Sequence, residues 1–261
     1  MDLTGKIALI TAGAGGIGLT IARRFTDLGA CVCICDISEG AVEAARDLLP
    51  EALILRADVA NSIEVRGVYD RLLSEYGGLD ILVNNAGVSG PTCAVGEITD
   101  AEWEATLAVN ITAMFYMVRA AVPLFRAGGG GAVINMASVA GRVGMPLRLP
   151  YSVSKYAVRG LTETLAIELG EMGVRVNSIL PGLVDGPRGR RVIAEQAQEH
   201  GMAPDNYARL FLHNISMHSM VQMEEIADMA AFLASDLAPH ISGQSIGVCG
   251  NFESYRAPMI L

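Results

Sequence analysis

The sequence predicts an α/β fold, a doubly wound sheet of seven mainly parallel strands with helices on both faces. Three observations predict it. Short apolar runs rich in β-branched residues recur along the whole chain. Stretches of helical periodicity separate them, and a glycine-rich turn directly follows the first run. Alternation of this kind calls for a parallel sheet, because each crossover between neighbouring strands needs a helix.

The predicted strands are residues 7–11, 31–36, 52–57, 81–84, 132–136, 174–180 and 245–248. The first predicted helix is 18–28, where Leu19, Ile21, Ala22, Phe25 and Leu28 form one apolar stripe. Similar patterns predict helices over 39–49, 62–76, 101–125, 152–172 and 223–235. The run 128–131 is a turn, too short for a tether. Residues 181–220 break the rhythm with mixed Gly, Pro, His and Arg, and such an insertion in a compact domain reads as a substrate-binding lid. The other reading is a helix pair that supports a subunit contact.

Bulk properties fit one domain over 1–261. The chain is 51% hydrophobic and 18% charged, enough for a large core. Its net charge of −9 repels phosphate backbones and anionic lipid, so neither nucleic acid nor a membrane is expected as a partner. The N-terminus lacks a basic stretch followed by a long apolar run, and the apolar stretches end at glycines or charges. A cytoplasmic protein is expected. Of the five cysteines, Cys31, Cys33 and Cys35 alternate, which puts their thiols on one face of a strand. A metal site needs a second ligand cluster at suitable spacing, and none is evident, so these thiols read as core and no metal is expected. Cys93 and Cys249 stand apart and suggest no disulfide framework.

The turn after the first strand reads Thr11, Ala12, Gly13, Ala14, Gly15, Gly16, Ile17, Gly18. Between a strand and a helix, glycines let the backbone approach a pyrophosphate, and the free N–H groups of the helix start receive its charge. Asp36 ends the second strand, at the spacing of a carboxylate that binds the adenosine ribose hydroxyls. It would repel the extra phosphate of NADP. The next residues are Ile37 and Ser38, and the turn holds no Arg or Lys, so NAD is the expected cofactor. The alternative role for Asp36 is in the N-terminal turn of the next helix. Together these features describe a Rossmann-type nucleotide site.

Tyr151 and Lys155 lie four residues apart, one turn of a helix on one face. An ordinary phenol, with a pKa of about 10, is a poor base at neutral pH. A cation about 4 Å away, at an effective dielectric near 20, favours the phenolate by roughly 4 kcal/mol, up to about 3 pKa units. That brings the phenol toward the range of a general acid/base. Alone, this pair reads more readily as a surface coincidence. Ser138 follows the strand 132–136, Asn84, Asn85, Ala86 and Gly87 close another, Asn110 lies in the helix 101–125, and Pro181 and Gly182 follow the strand 174–180.

With the glycine turn, this ordered set resembles the short-chain dehydrogenase/reductase family in its single-domain form of about 250 residues, from Gly5 to Gly250. The resemblance implies an enzyme that interconverts a secondary alcohol and a ketone by hydride transfer. Tyr151 is then the acid/base, Ser138 hydrogen-bonds the substrate oxygen, and Lys155 lowers the tyrosine pKa and binds the nicotinamide ribose. Asn110 holds a water in a proton relay to the lysine. Asp58 and Val59 contact adenine, while Asn85, Ala86 and Gly87 lie along the adenosine and its ribose. Pro181, Gly182 and Val184 pack against the nicotinamide carboxamide. The family's usual homotetramer would use the helices 101–125 and 152–172 for one interface.

This sequence departs from the family pattern at four places. Ala12 stands at the first glycine of the turn, Asp185 and Gly186 follow Val184 where a threonine is usual, and Cys249 replaces an aspartate. The tail 251–261 is long and is expected to reach a neighbouring subunit. For the substrate, Arg188, Arg190 and Arg191, or Arg142 and Arg148, could hold a carboxylate or sulfonate; the plain alternative is solvated arginines or subunit salt bridges. His213, His218, Met217 and Met220, with Met145, Leu147 and Leu149, are candidate pocket walls. The runner-up activity is a 3-oxoacyl-thioester reductase. A non-catalytic dinucleotide sensor and a thiol- or metal-based protein using the cysteine strip are the rival classes.

Overall fold

The structure, a computed structural model, describes residues 1–254. Most of the tail 251–261, and with it the expected subunit contact, lies outside the described residues. The elements run in the order β1 (Ile7–Thr11), α1 (Gly16–Asp27), β2 (Cys31–Asp36), α2 (Glu39–Leu48), β3 (Leu53–Arg56), α3 (Ser62–Tyr76) and β4 (Ile81–Asn84). Then come α4 (Asp100–Leu107), α5 (Ala113–Gly128), β5 (Gly131–Met136), α6 (Leu149–Gly170) and β6 (Val174–Pro181). The chain continues with α7 (Pro187–Glu199), α8 (Pro204–His213), α9 (Met223–Ala234) and β7 (Ser245–Val248). Seven strands form one sheet in the order β3-β2-β1-β4-β5-β6-β7, and every pairing is parallel. The strand order reverses between β1 and β4. In open α/β sheets a ligand crevice forms at that point, beyond the carboxyl ends of the strands.

Two apolar layers cover the sheet. Ala8, Ile10, Val32, Ile34 and Val83 face α1 and α9. Leu9, Cys33, Cys35, Leu82 and Val133 face α3 and α5, against Tyr69, Met117 and Phe125. Alternation along β1 and β2 divides residues between the layers, as period-two strands buried on both faces require. Cys33 and Cys35 are core residues, whereas Cys31 at the strand start is exposed. Burial pushes the Cys35 thiol up to about 12, and the Cys33 thiol well above its usual range.

Helix ends follow local chemistry. Ser38, Asn61 and Thr99 cap α2, α3 and α4 through their side chains. The helix α6 begins three residues before the predicted start, with Leu149, because Pro150 suits the first turn. The predicted helix 101–125 is interrupted: Ala108–Thr112 winds as a π turn between α4 and α5. Helical winding nonetheless continues over Asp100–Gly128, 29 residues, long and apolar enough to cross a membrane by length and composition. The sequence predicts one helix over 101–125 here and, because its apolar runs end at charges, no membrane-crossing segment; continuous winding joins those runs into the longer stretch. In the fold Met114, Met117, Val118, Ala121 and Phe125 of α5 are buried. The irregular segment 181–220 contains α7 and α8, packed on each other beside the carboxyl edge of β6.

Candidate active site

A cleft of about 470 Å³ opens at the crevice, from the glycine turn past β4 and β5 to α7 and α8. Of the predicted residues it brings together Gly16, Ile17, Asp36, Asn85, Gly87, Ser138, Tyr151, Lys155, Pro181, Gly182 and Val184. Gly13, Gly18, Asp58, Val59, Ala86 and Asn110 are not on its wall.

At the nucleotide end, α1 starts at Gly16 with no side-chain cap and no acidic residue in its first turn. Its first N–H groups are therefore left for an anion. Glycine is needed at Gly18, where a Cβ would lie 2.1 Å from the Ala12 carbonyl oxygen. Ala12 itself adopts φ 49, the left-handed region that costs a non-glycine residue roughly 1–2 kcal/mol. Its carbonyl is held there by the Asn85 amide, whose Nδ2 donates to Ala12 O at 3.1 Å and to Thr11 O at 3.0 Å. The Thr11 hydroxyl in turn accepts from the main-chain N–H groups of Asn85 and Ala86, each at 2.9 Å. These bonds tie the ends of β1 and β4 together across the crevice. The Asp36 carboxylate accepts from Ala14 N at 3.3 Å and Ser38 N at 3.0 Å, so it also orders the entry to α2. Asp58 closes a local turn by accepting from Ala60 N at 2.9 Å, and Val59 joins the apolar layer under α3. An uncapped helix start, a glycine cradle and a carboxylate at the end of β2 fit a dinucleotide.

At the other end, α6 carries Tyr151 and Lys155. Lys155 is 3% exposed, and its Nζ donates to the Met136 carbonyl at 2.7 Å. Close approach of α6 to the end of β5 depends on Gly141, where a Cβ would lie 2.4 Å from Lys155 O. Ser138 is buried and accepts from Ala140 N at 3.1 Å, capping the turn that leads away from β5. Asn110 is fully buried within the π turn. Its Oδ1 accepts from Val88 N at 2.8 Å, and its Nδ2 donates to Val88 O at 3.1 Å and Ser154 Oγ at 2.9 Å. That amide is a brace between α6 and the segment after β4.

Burial alone would push the Tyr151 phenol up. Lys155, Arg188, the Ser138 side chain and Arg148 together outweigh it and hold the phenol below its ordinary range. Lys155 Nζ is 5.7 Å from the centre of the tyrosine ring, the Arg148 guanidinium 4.8 Å and that of Arg188 6.0 Å. Burial brings Lys155 down to about 8. The sequence reading credited one lysine about 4 Å away; the fold surrounds the phenol with three cations from two segments. Arg188 reaches it by donating to Gly87 O at 3.0 Å. The other candidate arginines are engaged: Arg142 with Glu253, Arg190 with Asp185 and Arg191 with Glu195. Sequence reasoning missed the apolar wall of Val139, Leu183, Val192, Ile193, Phe211 and Met223, which four separate segments supply.

Known proteins of similar sequence and shape agree with this architecture. A family model described as enoyl-(acyl carrier protein) reductase matches residues 12–252. The chain is 36% identical to 3β-hydroxysteroid dehydrogenase 2 of Eggerthella lenta over 260 residues, 97% of this chain and 96% of that protein. A solved NAD+-bound xylitol dehydrogenase superposes with a TM-score of 0.91 at 28% identity, covering 96% of this chain and 100% of that one. A variant of actinorhodin polyketide ketoreductase solved with NADPH superposes at 0.93 with 30% identity, over 98% of this chain and 100% of that one. The chain is an oxidoreductase of the short-chain dehydrogenase/reductase family, whose members bind a nicotinamide dinucleotide.

Proposed function

We propose that this protein is an NAD(H)-dependent enzyme that interconverts a secondary alcohol and a ketone, with Tyr151 as its acid/base. The observation that carries the reading is a half-buried phenol in the cleft, flanked by Lys155 and Ser138, with Asp36 at the far end of the same cleft. Gly16, Ile17 and Asp36 would hold the adenosine half of the cofactor, with Asn85 and Gly87 along the ribose. Lys155, Pro181, Gly182 and Val184 would hold the nicotinamide half. Gly13, Gly18, Asp58, Val59 and Ala86 would shape that site from behind. Bound NAD supplies the acceptor for the substrate hydride. Tyr151 as phenolate takes the hydroxyl proton during oxidation and returns it during reduction. Ser138 positions the substrate oxygen. Lys155 holds the phenol in its acidic range and passes the proton on through a water held by the main chain of the π turn at Asn110.

Asp36 supports NAD over NADP, because a carboxylate beside the ribose repels a second phosphate. Its register neighbour on β3, Arg56, pairs with Glu64 at 3.1 Å. We further propose one domain over 1–261, with 181–220 as a lid, assembled as a cytoplasmic homotetramer. Free cysteines at all five positions support a reducing compartment, and the exposed Phe115, Tyr156 and Ile167 on α5 and α6 support a helix-pair interface. Light scattering of the purified protein checks the assembly.

The experiment for the activity is a panel of secondary alcohols, polyols and hydroxy acids with NAD and with NADP, following absorbance of the reduced cofactor. Turnover with NAD is expected. The family-model description favours a second reading, a 3-oxoacyl-thioester reductase. Faster reduction of acetoacetyl thioesters with NADPH than of any ketone with NADH would establish it instead. Dinucleotide binding without turnover on the whole panel would leave a sensor.

A further inference from the structure

The chemistry of the substrate is written in the cleft beyond Tyr151. Arg148 is 3% exposed and lines the cleft, yet it forms no ion pair with an acidic residue among the described residues. Among the described residues its one hydrogen bond is from Nη2 to Ser89 O at 3.2 Å, and its buried Nε has no partner there. A buried guanidinium without an anion is costly, because it has lost water and gained no opposite charge. Burial accordingly drags Arg148 below the ordinary arginine range.

The backbone around it is strained as well. Leu147, the preceding residue, has φ 62, and its carbonyl is held by Cys93 N at 3.1 Å. Strain of this kind persists where surrounding structure imposes it, and it clusters at ligand clamps. Arg148 itself is the residue before α6, whose first N–H groups have no side-chain cap. Across the cleft, buried Gln196 accepts from the Tyr207 hydroxyl at 2.7 Å through its amide oxygen, which leaves its NH2 group to donate.

We propose that the substrate carries a carboxylate, held by Arg148 with Arg188 and Gln196 beside it, so that the enzyme acts on hydroxy acids and keto acids. The inference rests on the reading of Tyr151 as the acid/base. Arg148 and Arg188 both lie within 6.0 Å of the tyrosine ring centre, so the carboxylate and the reacting carbon belong to one compact molecule. The apolar wall of Val139, Met145, Leu183, Val192 and Phe211 suits a hydrocarbon spacer between them.

A bound carboxylate would also change the acidity of Tyr151. The phenol faces Lys155, Arg188, Ser138 and Arg148, while Glu195 and Tyr207 face Arg148 from α7 and α8. Neutralising the two arginines weakens the field that favours phenolate. For oxidation, the limb that rises through the Tyr151 titration should therefore lie at higher pH in kcat than in kcat/KM for an acid substrate, and at the same pH in both for a neutral one.

The test compares 3-hydroxybutyrate and cis-4-hydroxycyclohexanecarboxylate with their methyl esters, in wild type and in Arg148→Gln, alongside calorimetric titration of butyrate. A charge-assisted hydrogen bond pair predicts kcat/KM for the acids about 10- to 100-fold above the esters in wild type, with the ratio falling toward one in the variant. Equal turnover of acids and esters by wild type overturns the carboxylate site and leaves the alcohol dehydrogenase reading intact. If none of these compounds is turned over, the dehydrogenase reading rests on the wider alcohol panel. Butyrate binding then decides the site, which stands if wild type binds butyrate and falls if it does not. If Arg148→Gln fails to fold, the wild-type ester comparison and butyrate titration decide.

Discussion

The Lys155 ammonium donates to the carbonyl of Met136 at 2.7 Å, so the last residue of β5 fixes the cation that faces Tyr151. A helix residue is thereby set by a strand end rather than by its own turn. The bond leaves Lys155 two further N–H groups, which the proposed mechanism assigns to the ribose and the proton relay.

Tyr151→Phe should lower kcat by about 10²- to 10⁴-fold, the usual contribution of a positioned acid/base, and leave the dissociation constant of NADH nearly unchanged. Stopped-flow kinetics and fluorescence titration of NADH measure the two. Oxidation needs the phenolate, so its kcat/KM should rise with pH through the Tyr151 pKa, which lies below the ordinary phenol value. Reduction needs the phenol and should fall through the same pH. Lys155→Met removes an opposing charge and should move both limbs to higher pH. An unmoved limb would assign the titration to another group.

Asp36→Ala should weaken NAD and improve NADP by removing one carboxylate from the ribose end of the cleft. A fall of about tenfold or more in the NAD/NADP preference is expected, from the loss of charge-assisted hydrogen bonds to the ribose. Steady-state kinetics with both cofactors checks it, and an unchanged preference would remove Asp36 from cofactor selection.

Gly18→Ala places a methyl group 2.1 Å from Ala12 O and 2.6 Å from Asn85 Nδ2, which must open the glycine turn. Loss of NADH affinity and a lower Tm are expected. Ala12→Gly acts the other way, because glycine adopts φ 49 without strain. Relief of roughly 1–2 kcal/mol is offset in part by the greater freedom of glycine in the unfolded chain. A rise in Tm of about 1–3 °C by differential scanning calorimetry is the expected net.

Native protein treated with a thiol reagent at pH 8 should react at Cys31 and Cys93, the positions that are exposed and half-exposed. Cys33 and Cys35 should react only on unfolding, since burial both shields them and keeps them protonated. Mass spectrometry of the labelled peptides distinguishes the positions. Rapid labelling of Cys35 would show that the layer under α3 opens readily.

Most of the fold was legible because it depends on short-range patterns. All seven strands were readable to within one residue at each end, since apolar runs stop where the chain meets a glycine or a charge. The strand at 52–57 was overextended: Ala52 and Ala57 are apolar but outside the ladder of β3. Ser62–Tyr76 was readable at both ends, because Asn61 caps it and Gly77 at φ 79 stops it.

The site was legible only where its residues sit in local motifs. Asp36, Ser138, Tyr151 and Lys155 fall in the cleft because each lies at a strand end or on one helix face. Arg148 could not be ranked above Arg142, Arg190 and Arg191 from sequence. What separates them is burial and the partners Glu253, Asp185 and Glu195, all set by tertiary packing. The π turn was illegible for the same reason. Ala108–Thr112 contains nothing that breaks an α-helix, and the bonds between Asn110 and Val88 and Ser154 arise only once the segment after β4 and α6 are in place.

That turn has a consequence for how this stretch tolerates change. A π turn stores one surplus residue in an otherwise regular spiral. Removing one residue from 108–112 would let the winding become ideal while the flanking turns keep nearly their present phase, because a π turn covers with its surplus residue about the angle that an α turn covers without it. Trp103 and Thr106 would keep their faces, and Met117 and Phe125 their seats on the sheet. What the deletion would remove is the bulge that presents Asn110 to Val88 and Ser154. A single-residue deletion here should therefore keep the fold and lose the brace between α6 and the segment after β4.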